Sequence, residues 1–222
     1  MKKSVLVVLA AGLVGFTSCE KKQAVEATDA VEVTNQPSES TSLFAVNTEK
    51  SNVEWRAFKF YESENKEAGH NGFFKFKSGE VGVENGVLTS GTFTIDVESL
   101  ESLDLNDDPD SKAKLDGHLK SEDFLHVEKY PEATFVITSV KPIEGEYNTE
   151  ISGNLKLREI EKNITVKANV SVEGDQLQLN SEEFSINRKD FGVNFEGKQG
   201  VVIRDNVALK VNILADKEVS VK

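Results

Sequence analysis

The stretch Ile164-Thr165-Val166-Lys167-Ala168-Asn169-Val170-Ser171-Val172 alternates apolar and polar side chains at nearly every step. Successive side chains of a strand point to opposite faces, so a period of two buries one face and wets the other. The same period recurs on both sides of this run. It is carried by Val53, Trp55 and Ala57, by Phe74 and Phe76, and by Phe93, Ile95 and Val97. It returns in Ala133, Phe135 and Ile137, and in Tyr147, Thr149 and Ile151 leading to Leu155 and Leu157. Leu177 and Leu179 lead to Phe184 and Ile186, and Val207, Leu209, Val211 and Ile213 end the series. Ser78-Gly79, Asn85-Gly86, Glu144-Gly145 and Glu173-Gly174-Asp175 read as turns between strands. Short connections make neighbouring strands antiparallel. An open sheet of about eight strands would expose two long edges, whereas an up-and-down barrel of that size has none and encloses either packed side chains or one ligand. The sequence therefore predicts an all-β, antiparallel barrel of about eight strands. A two-sheet sandwich satisfies the same alternation and stays open.

One segment breaks the pattern. Asp110 to Glu128 reads as helical, with Ala113, Leu115 and Leu119 on one face and Phe124 beyond. Ser121 followed by Glu122 and Asp123 reads as a second helix start, and Tyr130-Pro131 ends the segment. A helical insertion between barrel strands is expected to lie over one mouth as a lid.

The N-terminus sets the compartment. Met1-Lys2-Lys3 is basic, Ser4 to Phe16 is apolar, and Thr17-Ser18 precede Cys19. This reads as a signal peptide over residues 1–18, with Cys19 as an acylated anchor. An ordinary signal peptide followed by an incidental cysteine is the alternative. Cys19 is the single cysteine, so no disulfide, Cys-ligated metal or Cys nucleophile remains for the rest of the chain. Residues 19–42 read as the anchor and a flexible polar linker, with an expected reach of about 25–30 Å. Residues 43–222 form the barrel domain. Removing Lys2 and Lys3 with the leader takes the formal charge from −12 to −14. Such a surface repels nucleic acid and anionic membranes. Membrane contact is then expected through Cys19, in the cell envelope facing the periplasm and with the outer membrane favoured. A homodimer stays open.

Leu115-Asp116-Gly117-His118-Leu119-Lys120-Ser121-Glu122-Asp123-Phe124-Leu125, then Val127-Glu128-Lys129-Tyr130-Pro131 and Thr134-Phe135, resembles the signature block of the YceI-like family. Gly72-Phe73-Phe74-Lys75-Phe76, Thr94 to Leu100, Ser152-Gly153-Asn154-Leu155 and Arg188-Lys189-Asp190-Phe191-Gly192 are similar to further strands and a turn of that family, in order. The turn Arg158-Glu159-Ile160-Glu161-Lys162 departs from the family's Gly- and Thr-containing version. The resemblance implies a lipocalin-like barrel, export, and binding of polyisoprenoids or other long apolar molecules.

Trp55, Phe58, Phe60, Phe74, Phe76, Phe93, Phe135 and Phe184 are many aromatics for one barrel. They either line a ligand cavity or fill a solid core, and Ala57, Ala133 and Ala168 would leave room beside them. Phe124 joins them from the insertion. His118 reads as a ligand contact at the mouth or as a hydrogen bond pinning the helix, beside Asp116 and near Asp123. Arg188 and Asp190 either bind an anionic head group, with Lys120 and Lys198 nearby, or pair with each other to close a turn. His70 reads as a turn residue. There is no nucleophile–His–carboxylate motif, no His-Glu-x-x-His and no phosphate loop. Asp104, Asn106 and Asp108 start a calcium-loop spacing, but Pro109 and Leu115 stand where Gly and the closing Glu belong. No metal and no cofactor is expected. The leading expectation is non-catalytic binding or transport of a polyisoprenoid, quinone or fatty acyl chain. The alternative is an envelope stress or scaffold lipoprotein with a filled barrel.

Overall fold

The computed structural model describes residues 23–218. The signal peptide read over residues 1–18, the anchor Cys19 and the last four positions of the domain lie outside the described residues. In chain order the strands are β1 (Thr28–Asp29), β2 (Ser42–Val46), β3 (Asn52–Tyr61), β4 (Lys66–Glu84) and β5 (Val87–Ser102). After helix α1 (Pro109–Lys120) come β6 (Glu132–Pro142), β7 (Thr149–Leu157), β8 (Ile160–Glu173), β9 (Gln176–Ser181) and β10 (Phe184–Asn187). A 3-10 turn at Arg188–Phe191, β11 (Val201–Ile203) and β12 (Asn206–Lys217) complete the chain.

Eight staves close an antiparallel barrel. β3 through β8 pair each with the next. β9 and β10 form one stave in two pieces, both paired with β12, and β12 returns to β3. β2 prolongs the β3 stave, seated between β4 and β12. Asn85 and Gly86 both take positive φ, 51° and 78°, in the two-residue turn between paired Glu84 and Val87. The Asn-Gly signal thus delivers the twist that a tight hairpin needs.

The two ends of the barrel differ. At the floor, which carries the Asn85-Gly86 turn, Phe44, Val81, Leu177 and Ala215 are at most 2% exposed and pack solidly. The mouth carries α1, the β7–β8 turn and the 3-10 turn, and it is where the cavity lies.

Four sequence expectations change here. Ser78-Gly79 is not a turn. Both residues sit inside β4, where the register against β5 shifts between Phe76 and Ser78. Gly within a strand marks a bulge or a close approach as readily as a turn, and Val46 and Phe93 crowd Gly79. His70 likewise lies within β4, its Nδ1 2.8 Å from Asp104 Oδ2. The helix ends at Lys120, well short of Glu128. Ser121 closes it where a second start was expected: its N–H and hydroxyl donate to the His118 carbonyl at 3.1 and 2.8 Å. Ala113 is exposed and takes no part in an apolar face.

The fourth change concerns the linker. Its described part, residues 23–41, lies along the barrel and makes specific contacts. Thr28 and Asp29 pair with Asn163 and Lys162 of β8. The Val31 N–H donates to Asn154 Oδ1 at 3.0 Å, and Asn154 Nδ2 donates to the Val31 carbonyl at 2.7 Å. The Asn35 side chain donates to the Thr89 carbonyl at 2.8 Å, and Ser38 and Thr41 donate to the Glu84 carboxylate. The composition is polar, but Val25 and Ala27 pack against the core, and buried Asn154 supplies a backbone-like partner that composition does not reveal.

Candidate ligand cavity

The mouth half of the barrel encloses a cavity of about 230 Å³. Period two places alternate residues of every stave on its wall. β3 contributes Val53, Trp55 and Ala57, β4 contributes Phe74 and Phe76, and β5 contributes Phe93, Ile95 and Val97. Phe135 on β6 and Phe184 on β10 extend the aromatic surface, and Ala133 opens space beside Ile95, its cross-strand partner. Phe93 is central, with its ring 6.2 Å from Phe76 and 6.4 Å from Phe135. Gly153 makes room for Phe135, because a Cβ there would come within 2.2 Å of that ring.

The insertion roofs this space. Leu119 of α1, with Phe124 and Leu125 of the following loop, lines the cavity from above. The roof is held by polar contacts on the outside. Asp116 accepts the Ser102 N–H at 3.1 Å, and Lys112 reaches Glu101 at 2.6 Å and Asn106 at 2.8 Å. Asp108 caps the helix by accepting the Ser111 N–H at 3.1 Å. Burial alone would raise the Asp104 carboxyl; the Asn71 N–H and the His70 ring outweigh it and hold it below the usual carboxylate range. Asp104, Asn106 and Asp108 are therefore engaged with neighbouring protein groups.

Of the residues the sequence singled out, Trp55, Phe74, Phe76, Phe93, Phe124, Phe135, Phe184 and Arg188 come together on the cavity wall. Phe58, Phe60, His118 and Asp190 do not. Phe58 and Phe60 lie on the outer face of β3, where Phe58 is 37% exposed and Phe60 sits 4.9 Å beneath the Arg204 guanidinium. His118 faces out, its Nε2 3.0 Å from Asp123 and its ring edge-on to Phe124 and Phe195 at 5.1 Å. Asp190 is exposed, and the partner of Arg188 is Asp205 at 3.0 Å. Lys120 and Lys198 are not on the wall. Ala168 is fully buried and is not on the wall, although its neighbours Val166 and Ser181 are.

Polar groups on the wall are few; those of Ser181, Arg188 and Arg204 are already partnered, while the buried Trp55 indole N–H has no hydrogen-bond partner. The Arg188 guanidinium also donates to the carbonyls of Val193 and Arg204 at 2.6 and 3.4 Å. The Ser181 hydroxyl donates to the Glu182 carbonyl at 2.7 Å and accepts the Val211 N–H at 2.8 Å. Arg204 stands at the rim, 2.8 Å from Glu67. Arg158 and Arg204 are the residues that sequence reasoning missed. Arg158 sits in the two-residue β7–β8 turn at φ 56°, which costs a non-glycine residue about 1–3 kcal/mol. In return its Nη1 donates to the carbonyls of Phe124 and Gly192, at 3.2 and 3.0 Å, and ties the roof to the 3-10 turn. The departure from the family's turn sequence at Arg158 was the available signal. An interior so short of free polar groups can dissolve an apolar chain.

A closed, roofed antiparallel barrel with an apolar interior is the lipocalin-like class of architecture. Residues 44–215 match the YceI-like domain, and the chain belongs to that family. A UPF0312 protein of Pseudomonas savastanoi pv. phaseolicola is 32% identical over 145 residues, covering 58% of this chain and 74% of the relative. Protein YceI of Salmonella arizonae is 38% identical over 91 residues, covering 38% of this chain and 47% of the relative. Among solved structures, Burkholderia cenocepacia BcnA superposes with a TM-score of 0.58 at 22% identity, over 76% of this chain and 98% of its own. A structure described as a polyisoprenoid binding domain, from Saccharophagus degradans, superposes with a TM-score of 0.54 at 13% identity, over 79% and 98%. These likenesses establish the shared fold.

Proposed function

We propose that this protein takes up one long apolar molecule, a polyisoprenoid, quinone or fatty acyl chain, and holds or carries it without chemical change. The observation that carries this reading is the cavity wall, aromatic and aliphatic throughout, on which the hydrogen-bonding groups of Ser181 and Arg188 are already paired. Each CH₂ moved from water into such a wall contributes about 0.8 kcal/mol, so affinity should rise with chain length until the cavity is full. The polyisoprenoid-binding description of the Saccharophagus relative supports the ligand class.

Trp55, the single tryptophan, lines the cavity and is 4% exposed. Titration with cis-parinaric acid, a long fluorescent acyl chain that absorbs indole emission, should quench Trp55 and saturate near one ligand per barrel. Absence of quenching, together with absence of co-purified lipid, would overturn the carrier reading in favour of a scaffold with a collapsed barrel.

The reading includes an acyl anchor on Cys19 that holds the barrel at an envelope membrane on the periplasmic side. Cys19→Ala should shift the protein from the membrane fraction to a soluble or unprocessed form. Membrane partitioning that does not change would rule the anchor out.

A further inference from the structure

Among the described residues the barrel wall has a seam between β8 and β10, and the segment just downstream of Cys19 fills it. β8 pairs with β9 only over Ala168–Glu173, while β10 pairs with β12. Between these ladders the edge of β8 and the edge of β10 face each other, and no direct β8–β10 ladder joins them among the described residues. Residues 25–29 occupy the gap. The Val25 N–H donates to the Ser185 carbonyl of β10 at 2.7 Å, and Thr28 and Asp29 pair with Asn163 and Lys162 of β8. Val25 and Ala27 pack against the core. The seam leads to the cavity, because Ile164 and Val166 on its β8 side and Phe184 and Ile186 on its β10 side all line that space.

We infer that this seam is a lateral port through which an apolar chain passes into the cavity, with residues 25–29 as its removable shutter. The inference rests on the carrier reading above. The shutter is held far more lightly than a stave. β1 has two residues, whereas the β7–β8 ladder runs from Thr149↔Ala168 to Leu157↔Ile160. Elements with few buried contacts and short ladders open first. A latch lies just beyond it at Val31, whose N–H and carbonyl are both held by Asn154. Asn154 is 5% exposed and is fixed in turn by Asn163, whose Nδ2 donates to Asn154 Oδ1 at 2.8 Å and to Thr138 Oγ1 at 3.0 Å. The four Cα–Cα steps from Cys19 to Gln23 span at most about 14 Å. An acyl anchor on Cys19 therefore keeps the seam beside the bilayer, where a chain leaving the membrane would meet the port without crossing water. The family match covers residues 44–215, so the shutter lies outside the matched barrel.

The test locks the shutter. Asp29 and Lys162 are cross-strand partners with side chains 2.9 Å apart. The pair Asp29→Cys and Lys162→Cys, in the full chain carrying Cys19→Ala, places a reducible bridge across the seam, and its formation is checked by intact mass. The rate of cis-parinarate exchange, read from Trp55 quenching, should fall at least about tenfold when the bridge is oxidised and recover on reduction. In the unlocked chain, Asn154→Ala should speed exchange about tenfold with little change in equilibrium affinity. Equal rates in the oxidised and reduced pair would overturn the port and send the chain through the mouth beneath α1. Should the bridge not form, an unchanged exchange rate in Asn154→Ala would overturn it equally. No uptake by the unmodified protein would defeat the carrier reading itself, and the port with it.

Discussion

Arg188→Met should lower the folding free energy by about 3–5 kcal/mol, the usual cost of removing one partner from a buried charged contact. Arg188 is 5% exposed, and its guanidinium holds the Val193 carbonyl, the Arg204 carbonyl and the Asp205 carboxylate together. Those groups belong to the connection that leads from the 3-10 turn into β12, and the Arg188 N–H also donates to the Asp205 carbonyl at 2.9 Å. Methionine keeps much of the volume and supplies no donor, so the Val193 carbonyl is left unpaired. Asp205 is 40% exposed and regains water, which places the expected loss near the lower end of the range. In a domain of this size that corresponds to a fall of roughly 6–12 °C in Tm. Chemical denaturation measures it. Asp190→Asn, on the exposed side of the same turn, should stay within about 0.5 kcal/mol. A near-normal Tm for Arg188→Met with lost affinity for an anionic lipid would reverse the assignment and make Arg188 a head-group ligand.

Arg188 also marks where sequence reasoning stops. That a buried arginine would need a carboxylate partner was readable; that the partner is Asp205 and not the neighbouring Asp190 depends on how β10 and β12 align. By contrast, the staves and the cavity aromatics were legible, because period two fixes the face of each residue once one residue of the strand is placed. The same rule excludes Phe58 and Phe60: they share parity with Glu54 and Arg56, while Val53, Trp55 and Ala57 face in. Their aromatic type points to the wall, but their parity puts them on the outer face. The contacts of residues 23–41 could not be read at all. Nothing in the polar run from Gln23 to Thr41 announces that Asn154, more than a hundred positions away, supplies its anchor. The helix end was also hidden, since Ser121 serves equally well as an N-cap or as a donor to the preceding turn.

The second large effect separates two alanines that look alike in sequence. Ala133→Trp should abolish binding of a long acyl chain, lowering affinity by at least about tenfold while changing stability by under about 1 kcal/mol. Ala133 is 7% exposed to solvent, lies on the cavity wall and pairs with Ile95, so the added indole extends into open space beside Phe93 and Phe135. Ala168 is paired with Thr149 and Ser181, is fully buried and does not touch the cavity. Ala168→Phe should cost about 1–3 kcal/mol or more by overpacking, while the folded fraction retains ordinary affinity. Measured side by side, denaturation and cis-parinarate titration give opposite patterns for the two variants. If Ala133→Trp instead destabilised the protein as severely as Ala168→Phe, the space beside Phe93 would be closed in solution. The barrel would then be a filled scaffold, because a cavity able to take up an apolar chain must also accept an apolar side chain grown from its own wall.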